Sequence, residues 1–299
     1  MSANITGVVV PLITPFNNEN QIDYSSLSRV IEFLVTKGVN ALMVGGTTGE
    51  GMLLRLEERK QLLDTVIRQV AGKALVIAHT GCIDTESTVD LSKHAQKAGA
   101  DYISVIVPYF FTLNDDQLYG HFLTVCKAVQ ETSVLLYAFP GNTKNDISPV
   151  LLQRLMHAAP NITGIKSSND DLVKFQEYVK TGGPKFTSCM GVDELMLGGL
   201  VFGSHAQISG NANAFPEPFI KLFQAFKDGN LKRAQDLQLV VNTIVQLHQG
   251  GSTTAFYKAS LQIRGISTGR VRSPMRELTA QELTHLEAQL KKSGILETL

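Results

Sequence analysis

Eight short apolar runs punctuate this chain, and stretches with helical spacing lie between them. The runs are Val8-Val9-Val10, Ala41-Leu42-Met43-Val44, Leu75-Val76-Ile77-Ala78, residues 103–107, Val134-Leu135-Leu136-Tyr137, residues 162–165, residues 186–189, and Ala206-Gln207-Ile208. The first five or six are near-continuous, as expected of parallel strands buried on both faces, and the last two carry a weaker signal. Leu27, Val30, Ile31 and Leu34 recur at helical spacing before Gly38, and Leu62, Leu63, Val66, Ile67 and Val70 do so before Gly72. Leu91, Ala95 and Ala98 repeat the pattern before Gly99, and Phe219, Leu222, Phe223 and Phe226 form an eighth outer helix. Eight strand–helix units within residues 1–228 predict a closed (β/α)8 TIM barrel. The rival, an open doubly wound sheet, would normally place a glycine fingerprint at its first strand–helix turn. Here that turn reads Thr14-Pro15-Phe16-Asn17.

Beyond residue 228 the strand signal stops. Leu237, Val240, Val241, Ile244 and Val245 mark one helix, and two more are expected over roughly 253–263 and 280–291. Residues 229–299 therefore form a helical appendage, expected to be a separate domain, a lid or an assembly surface.

Composition narrows the partners. The 299 residues carry 27 Lys plus Arg and 27 Asp plus Glu, a net charge of zero. A balanced surface offers no general counter-charge to a phosphate backbone, so no nucleic-acid partner is expected. A hydrophobic fraction of 43% excludes a disordered chain. No apolar stretch approaches the roughly 18 residues of a membrane span, so no membrane partner is expected. The opening MSANITGVVVP lacks the parts of a signal peptide. Cys82, Cys126 and Cys189, sparse and without Cys-x-x-Cys spacing, predict reduced thiols in a cytoplasmic protein. No His/Asp/Glu cluster has metal-ligand spacing.

In barrels of this kind the chemistry lies at the carboxyl ends of the strands. Lys166 is distinctive there, because it alone among the lysines ends an apolar strand, in Ile162-Thr163-Gly164-Ile165-Lys166. A lysine at an apolar barrel mouth is partly desolvated, which favours the neutral amine that attacks a ketone and forms a Schiff base. The alternative is a lysine that reaches solvent or pairs with a carboxylate. Tyr137 ends the neighbouring strand, roughly 4.8 Å away. Its phenol would meet the amine over the same cavity and move protons, unless it is simply packed in the barrel. The loop Gly45-Gly46-Thr47-Thr48-Gly49-Glu50 supplies hydroxyls and backbone N–H groups suited to a carboxylate. A Gly-rich turn with a threonine helix cap explains it as well. His79 ends the third strand, either as a base or as a packed histidine.

Together these residues resemble the dihydrodipicolinate synthase / N-acetylneuraminate lyase family of pyruvate-dependent class I aldolases. The resemblance runs nearly end to end. It includes Pro11-Leu12-Ile13-Thr14-Pro15-Phe16, Gly46 to Glu50, Pro108-Tyr109, Tyr137-x-x-Pro140, Gly164-Ile165-Lys166, Ile208-Ser209 and Asn213. It implies a (β/α)8 barrel with a C-terminal helical region, a homotetramer, and no metal or organic cofactor beyond the covalent imine on Lys166. It further implies that Lys166 captures pyruvate or the keto group of a 2-oxo acid. Tyr137 would relay protons and contact the carboxylate. Thr47 and Thr48 would bind the carboxylate, with Thr47 extending the relay, and Ile208 would close the pyruvate pocket with its backbone.

Three departures matter. Phe110 stands where the family commonly has a tyrosine that reaches the partner subunit's site, so the relay must use water, Tyr109 or another group. Asn142 stands where dihydrodipicolinate synthases carry an arginine for the second substrate's carboxylate. Val44-Gly45-Gly46-x-Thr48-Gly49-Glu50, Ala78-His79-x-Gly81-Cys82 and Gly191-x-Asp193-Glu194 are instead similar to sialic acid lyases. In those enzymes the Gly-x-Asp-Glu residues bind sugar hydroxyls, and Ser168 matches a further hydroxyl position. Asp193 and Glu194 are equally explained as the acidic start of a helix. Gly210 falls where the lyases have a serine.

The expectation is thus a Schiff-base aldolase acting on a 2-keto-3-deoxy sugar acid. Lys166, Tyr137 and Thr47 would be catalytic. Thr48, Tyr109, Ser168, Gly191, Asp193, Glu194 and Ile208 would bind substrate. The alternatives are a dihydrodipicolinate-type condensation or a dehydration on the same imine, and, outside enzymes, a non-catalytic oxo-acid-binding protein suggested by Phe110.

Overall fold

A computed structural model describes residues 4–251 and 253–297. The first three residues of the amino-terminal segment considered above lie outside the described residues. The strands are β1 (Gly7–Pro11), β2 (Ala41–Val44), β3 (Leu75–His79), β4 (Tyr102–Ile106), β5 (Ser133–Ala138), β6 (Ile162–Ser167), β7 (Thr187–Met190) and β8 (Ala206–Ile208). All neighbours are parallel, and β8 pairs back to β1, closing the barrel. The expected (β/α)8 barrel is therefore the fold.

The helices are α1 (Tyr24–Thr36), α2 (Leu56–Val70), α3 (Thr85–Ala98), α4 (Asp115–Ala128), the single turn α5 (Pro140–Thr143), α6 (Pro149–Ala158), α7 (Leu172–Gly182), α8 (Met196–Val201), α9 (Pro216–Lys227), α10 (Leu231–Leu247), α11 (Thr254–Ile263) and α12 (Ala280–Ser293). Local chemistry sets their ends. Asp84 accepts from Ser87 N at the start of α3, and Ser148 accepts from Leu151 N ahead of Pro149 in α6. Gly99 stops α3 at φ +83°, a conformation that glycine adopts without a Cβ penalty.

Alternation along each strand divides the apolar residues into two layers. Val9, Ala41, Met43, Ile77, Tyr102, Leu135, Cys189, Ala206 and Ile208 fill the barrel interior. Val8, Val10, Leu42, Val44, Val105 and Leu136 face the outer helices. Ala234, Leu237, Val241 and Ile244 of α10 and Phe256 and Leu261 of α11 belong to that outer layer, so the C-terminal helices share a core with the barrel.

The β5–β6 pairing positions the site. Val134 lies opposite Ile162, but Leu135 lies opposite Gly164, so one extra residue, Thr163, is taken up in β6. This bulge brings Tyr137 opposite Lys166; in uninterrupted register Tyr137 would face Ile165. Both strands also run one residue past their expected ends, so Tyr137 and Lys166 each sit one place inside the strand.

Candidate active site

The carboxyl ends of the strands surround a cavity of about 520 Å³. It is lined by Thr47, Thr48, Tyr137, Lys166, Ser168, Gly191, Asp193, Glu194 and Ile208, which are nine of the ten expected site residues. The tenth, Tyr109, stands apart. It is half-buried beside Arg59 and Cys82 and receives a backbone hydrogen bond from Ile83. Next to it, Phe110 is 71% exposed at φ +79° and meets Phe111 edge to face.

Lys166 is 6% exposed. Its Nζ lies 4.1 Å from the centre of the Tyr137 ring and has no carboxylate within salt-bridge distance among the described residues. Tyr137 is buried, stacks on Phe139 at 5.8 Å, and has the Ser168 Oγ 3.5 Å from its hydroxyl. Glycines make the lysine's passage possible. A Cβ on Gly191 would lie 2.4 Å from Ser168 Oγ and 3.1 Å from Lys166 Cε. A Cβ on Gly164, one residue pair below, would lie 2.5 Å from the Thr187 carbonyl oxygen.

His79 lies outside this lining. It ends β3 with its ring edge-on to Tyr137 at 6.0 Å, and Arg59 donates to its carbonyl oxygen at 2.7 Å. Burial, with the Arg59 and Lys166 charges nearby, drives its pKa well below the usual imidazole range, so it is neutral.

The threonine loop lines the cavity and does not start a helix. Neither Thr47 nor Thr48 caps a helix. A 3-10 turn at Gly51–Leu53 follows, and α2 starts only at Leu56. What shapes the loop is Glu50, held at φ 55° with its side chain fully buried. Its carboxylate accepts from Lys258 Nζ at 2.7 Å, Arg272 N at 2.7 Å and Thr254 Oγ1 at 3.2 Å. Lys258 also donates to the carbonyl oxygens of Thr14 and Arg270. The C-terminal region thereby anchors the turn that carries Thr47 and Thr48.

Asp193 and Glu194 divide. The buried Asp193 carboxylate accepts from Gln207 Nε2 at 2.6 Å, Ser209 Oγ at 2.7 Å and Asn211 Nδ2 at 2.6 Å. Burial outweighs those bonds and pushes its pKa up to about 6. Glu194 is exposed on the cavity wall. Asn211 continues inward to His248. Because its amide nitrogen serves Asp193, its oxygen accepts from His248 Nδ1 at 2.7 Å, and His248 Nε2 accepts from Ser260 Oγ at 2.8 Å. Burial holds this histidine down to about 3, so it is neutral.

Sequence reasoning missed Tyr257, Val245, Gly250 and Gly251, which bring the helical appendage into the cavity wall. Periodicity shows that a helix covers Tyr257 but not that it docks over the barrel mouth. Cys82, Cys126 and Cys189 are free and buried. No group of three or more His, Cys, Asp or Glu side chains is placed to hold a metal among the described residues, and no helix there is long and apolar enough to cross a membrane.

Comparison with known proteins agrees with this geometry. Residues 4–293 match the Dihydrodipicolinate synthetase family. The 4-hydroxy-tetrahydrodipicolinate synthase of Acetivibrio thermocellus is 32% identical, covering 97% of this chain and 98% of the relative. A prophage protein of the dihydrodipicolinic acid synthase family from E. coli K12, solved in complex with pyruvate, superposes with a TM-score of 0.94 at 30% identity, covering 98% of this chain and 100% of that one. A catalytic lysine mutant of the Ruminococcus gnavus sialic acid aldolase superposes with a TM-score of 0.90 at 26% identity, covering 96% of each chain. With the barrel, the lysine–tyrosine pair at its mouth and this end-to-end likeness in agreement, the chain belongs to the dihydrodipicolinate synthetase family and is an enzyme of the class I aldolase type.

Proposed function

We propose that the chain is a pyruvate-dependent lyase that cleaves a 2-keto-3-deoxy sugar acid through a Schiff base on Lys166. The observation that carries this is a buried amine with no carboxylate partner among the described residues, set against Tyr137 in an open cavity. The Lys166 amine attacks the C2 carbonyl of the oxo acid, the Tyr137 phenol gives its proton to the carbinolamine hydroxyl, and water leaves as the iminium forms beside the phenolate. Tyr137 takes the proton of the C4 hydroxyl, the C3–C4 bond breaks, the aldehyde departs, and the bonding electrons reach the iminium nitrogen as an enamine. Protonation at C3 and hydrolysis release pyruvate and the free amine. Thr47 and Thr48 hold the carboxylate, with Thr47 extending the proton path, and the Ile208 backbone closes that end of the pocket. The imine is itself the electron sink, so the cycle calls for no metal or organic cofactor.

The rest of the lining favours a polyol over a second carboxylate. Lys166 is the only cationic side chain among the lining residues, and Asn142, not an arginine, occupies the wall beside Phe139. Glu194 and Ser168 offer an acceptor and a hydroxyl to a sugar tail. Family membership sets aside the non-catalytic alternative suggested by Phe110. The names of the relatives favour the other enzymatic possibility, condensation of pyruvate with aspartate semialdehyde. A cytoplasmic homotetramer completes the proposal, supported by the buried free thiols and the exposed Phe110–Phe111 pair.

A substrate screen separates the two reactions. Pyruvate release from N-acetylneuraminate or another 2-keto-3-deoxy sugar acid is expected. Pyruvate consumption only with aspartate semialdehyde would overturn the lyase assignment in favour of the synthase.

A further inference from the structure

We propose that Tyr257, on α11 of the C-terminal region, is a specificity-determining residue whose phenol donates a hydrogen bond to a hydroxyl of the substrate's polyol tail, in the cavity beside Gly210. This role presupposes the lyase function proposed above.

The Tyr257 ring is packed and its oxygen is not. The residue is 6% exposed, and its ring meets His248 edge to face at 5.2 Å. His248 is in turn fixed by Asn211 and Ser260. Its hydroxyl lies where two residues lack side chains. A Cβ on Gly210 would lie 3.1 Å from the Tyr257 oxygen, and a Cβ on Gly251 would lie 2.4 Å from it. The same point above Gly210 is 3.1 Å from Thr48 Oγ1. A glycine at 210 thus lets the phenol from the appendage approach the threonine loop more closely than a side chain there would allow.

Tyr257 lines the cavity, and its hydroxyl has no hydrogen-bond partner among the described residues. A buried phenol ordinarily finds one. Burial and the nearby Asp193 and Glu194 carboxylates push its pKa up, so it keeps its proton and serves as a donor. The acceptor it awaits is neutral oxygen, because an anion at this place would meet the same two carboxylates. A hydroxyl on the departing polyhydroxy aldehyde has that chemistry. Tyr137 and Lys166, at the reacting end, are borne by strands; this contact belongs to the far end of the substrate and is borne by a helix.

The test compares two substrates that share the 4-hydroxy-2-oxo acid head. One has a polyol tail, a 2-keto-3-deoxy sugar acid, and the other has a methyl tail, 4-hydroxy-2-oxopentanoate. Tyr257→Phe is expected to lower the ratio of kcat/KM for the polyol to that for the methyl substrate about tenfold, chiefly through the polyol KM. Gly210→Ala places a methyl group where it crowds the phenol and is expected to lower the same ratio, with the double variant no worse than Tyr257→Phe alone. A ratio within twofold of the wild type in Tyr257→Phe, or additive losses in the double variant, overturns the assignment. Wild-type enzyme that traps pyruvate on Lys166 but releases it from no polyol acid overturns the lyase function, and this role with it; the two failures are read from different samples.

Discussion

Among the described residues two lysines are buried, and they are opposites. Lys258, on α11, is 1% exposed and all its donors are spent, on Glu50 and the carbonyl oxygens of Thr14 and Arg270. Lys166, on β6, is 6% exposed, faces an aromatic ring and a cavity, and has no acidic partner within salt-bridge distance among the described residues. Burial alone therefore does not mark a reactive amine. An ammonium surrounded by acceptors is a fastener, whereas an amine left with open space beside it can form a bond to substrate. The two are linked through Glu50, since the fastener holds the loop that presents Thr47 and Thr48 to the cavity.

Four substitutions or conditions test that contrast. Lys166→Arg keeps the positive charge but cannot form the imine, so kcat/KM should fall by more than about 10⁴-fold while the thermal unfolding midpoint stays close to that of the wild type. A folded Lys166→Arg that still turns over would abolish the distinction. Tyr137→Phe retains the ring beside the amine and loses only the phenol, so steady-state kinetics should show kcat lower by about 10²–10⁴-fold.

Lys258→Met should show the reverse pattern. It leaves the Glu50 carboxylate buried without its cation, which costs about 3–5 kcal/mol in a denaturant titration. The double variant Glu50→Gln/Lys258→Met removes both charges and should recover much of that loss. Equal destabilisation of the single and double variants would show that the pair is not coupled.

The smallest effect is with pH, on the same C-terminal seam. His248 protonates near 6.5 when unfolded but only at about 3 when folded. Its contribution is therefore fully present above about pH 6.5 and is lost as the pH falls. Between pH 7 and 5 this amounts to about 2 kcal/mol. Asp193, raised to about 6, works in the opposite direction and offsets about 1 kcal/mol over the same interval. Unfolding midpoints measured at the two pH values should drop on acidification, and His248→Gln should flatten that drop.

What the sequence reveals follows the range of the interactions. Lys166 and Tyr137 are visible because each lies in a short apolar run, and the barrel rule then places both at its mouth. Eight strands and the outer helices are legible for the same reason, since continuous apolar runs and a 3.6-residue period are local. The bulge at Thr163 is not, because it exists only in the pairing of β5 with β6. Lys258 escapes for a related reason. It sits in a helix, and its partner Glu50 is 208 residues away. Its signal is faint but real: in Thr254–Ile263 it is the sole charged residue, and it lies within a continuous buried stretch. Asp193 illustrates a different limit. The pair Asp193-Glu194 reads as two equivalent acids, and only the fold shows Gln207, Ser209 and Asn211 converging on the first of them.

The contrast between the two lysines is tested most directly by incubating the enzyme with pyruvate, reducing with borohydride and mapping the adduct by mass spectrometry. A single stable adduct on Lys166, with Lys258 unmodified and no adduct in Lys166→Arg, is the expected result. No adduct in a folded sample, or one located on another lysine, would contradict the account.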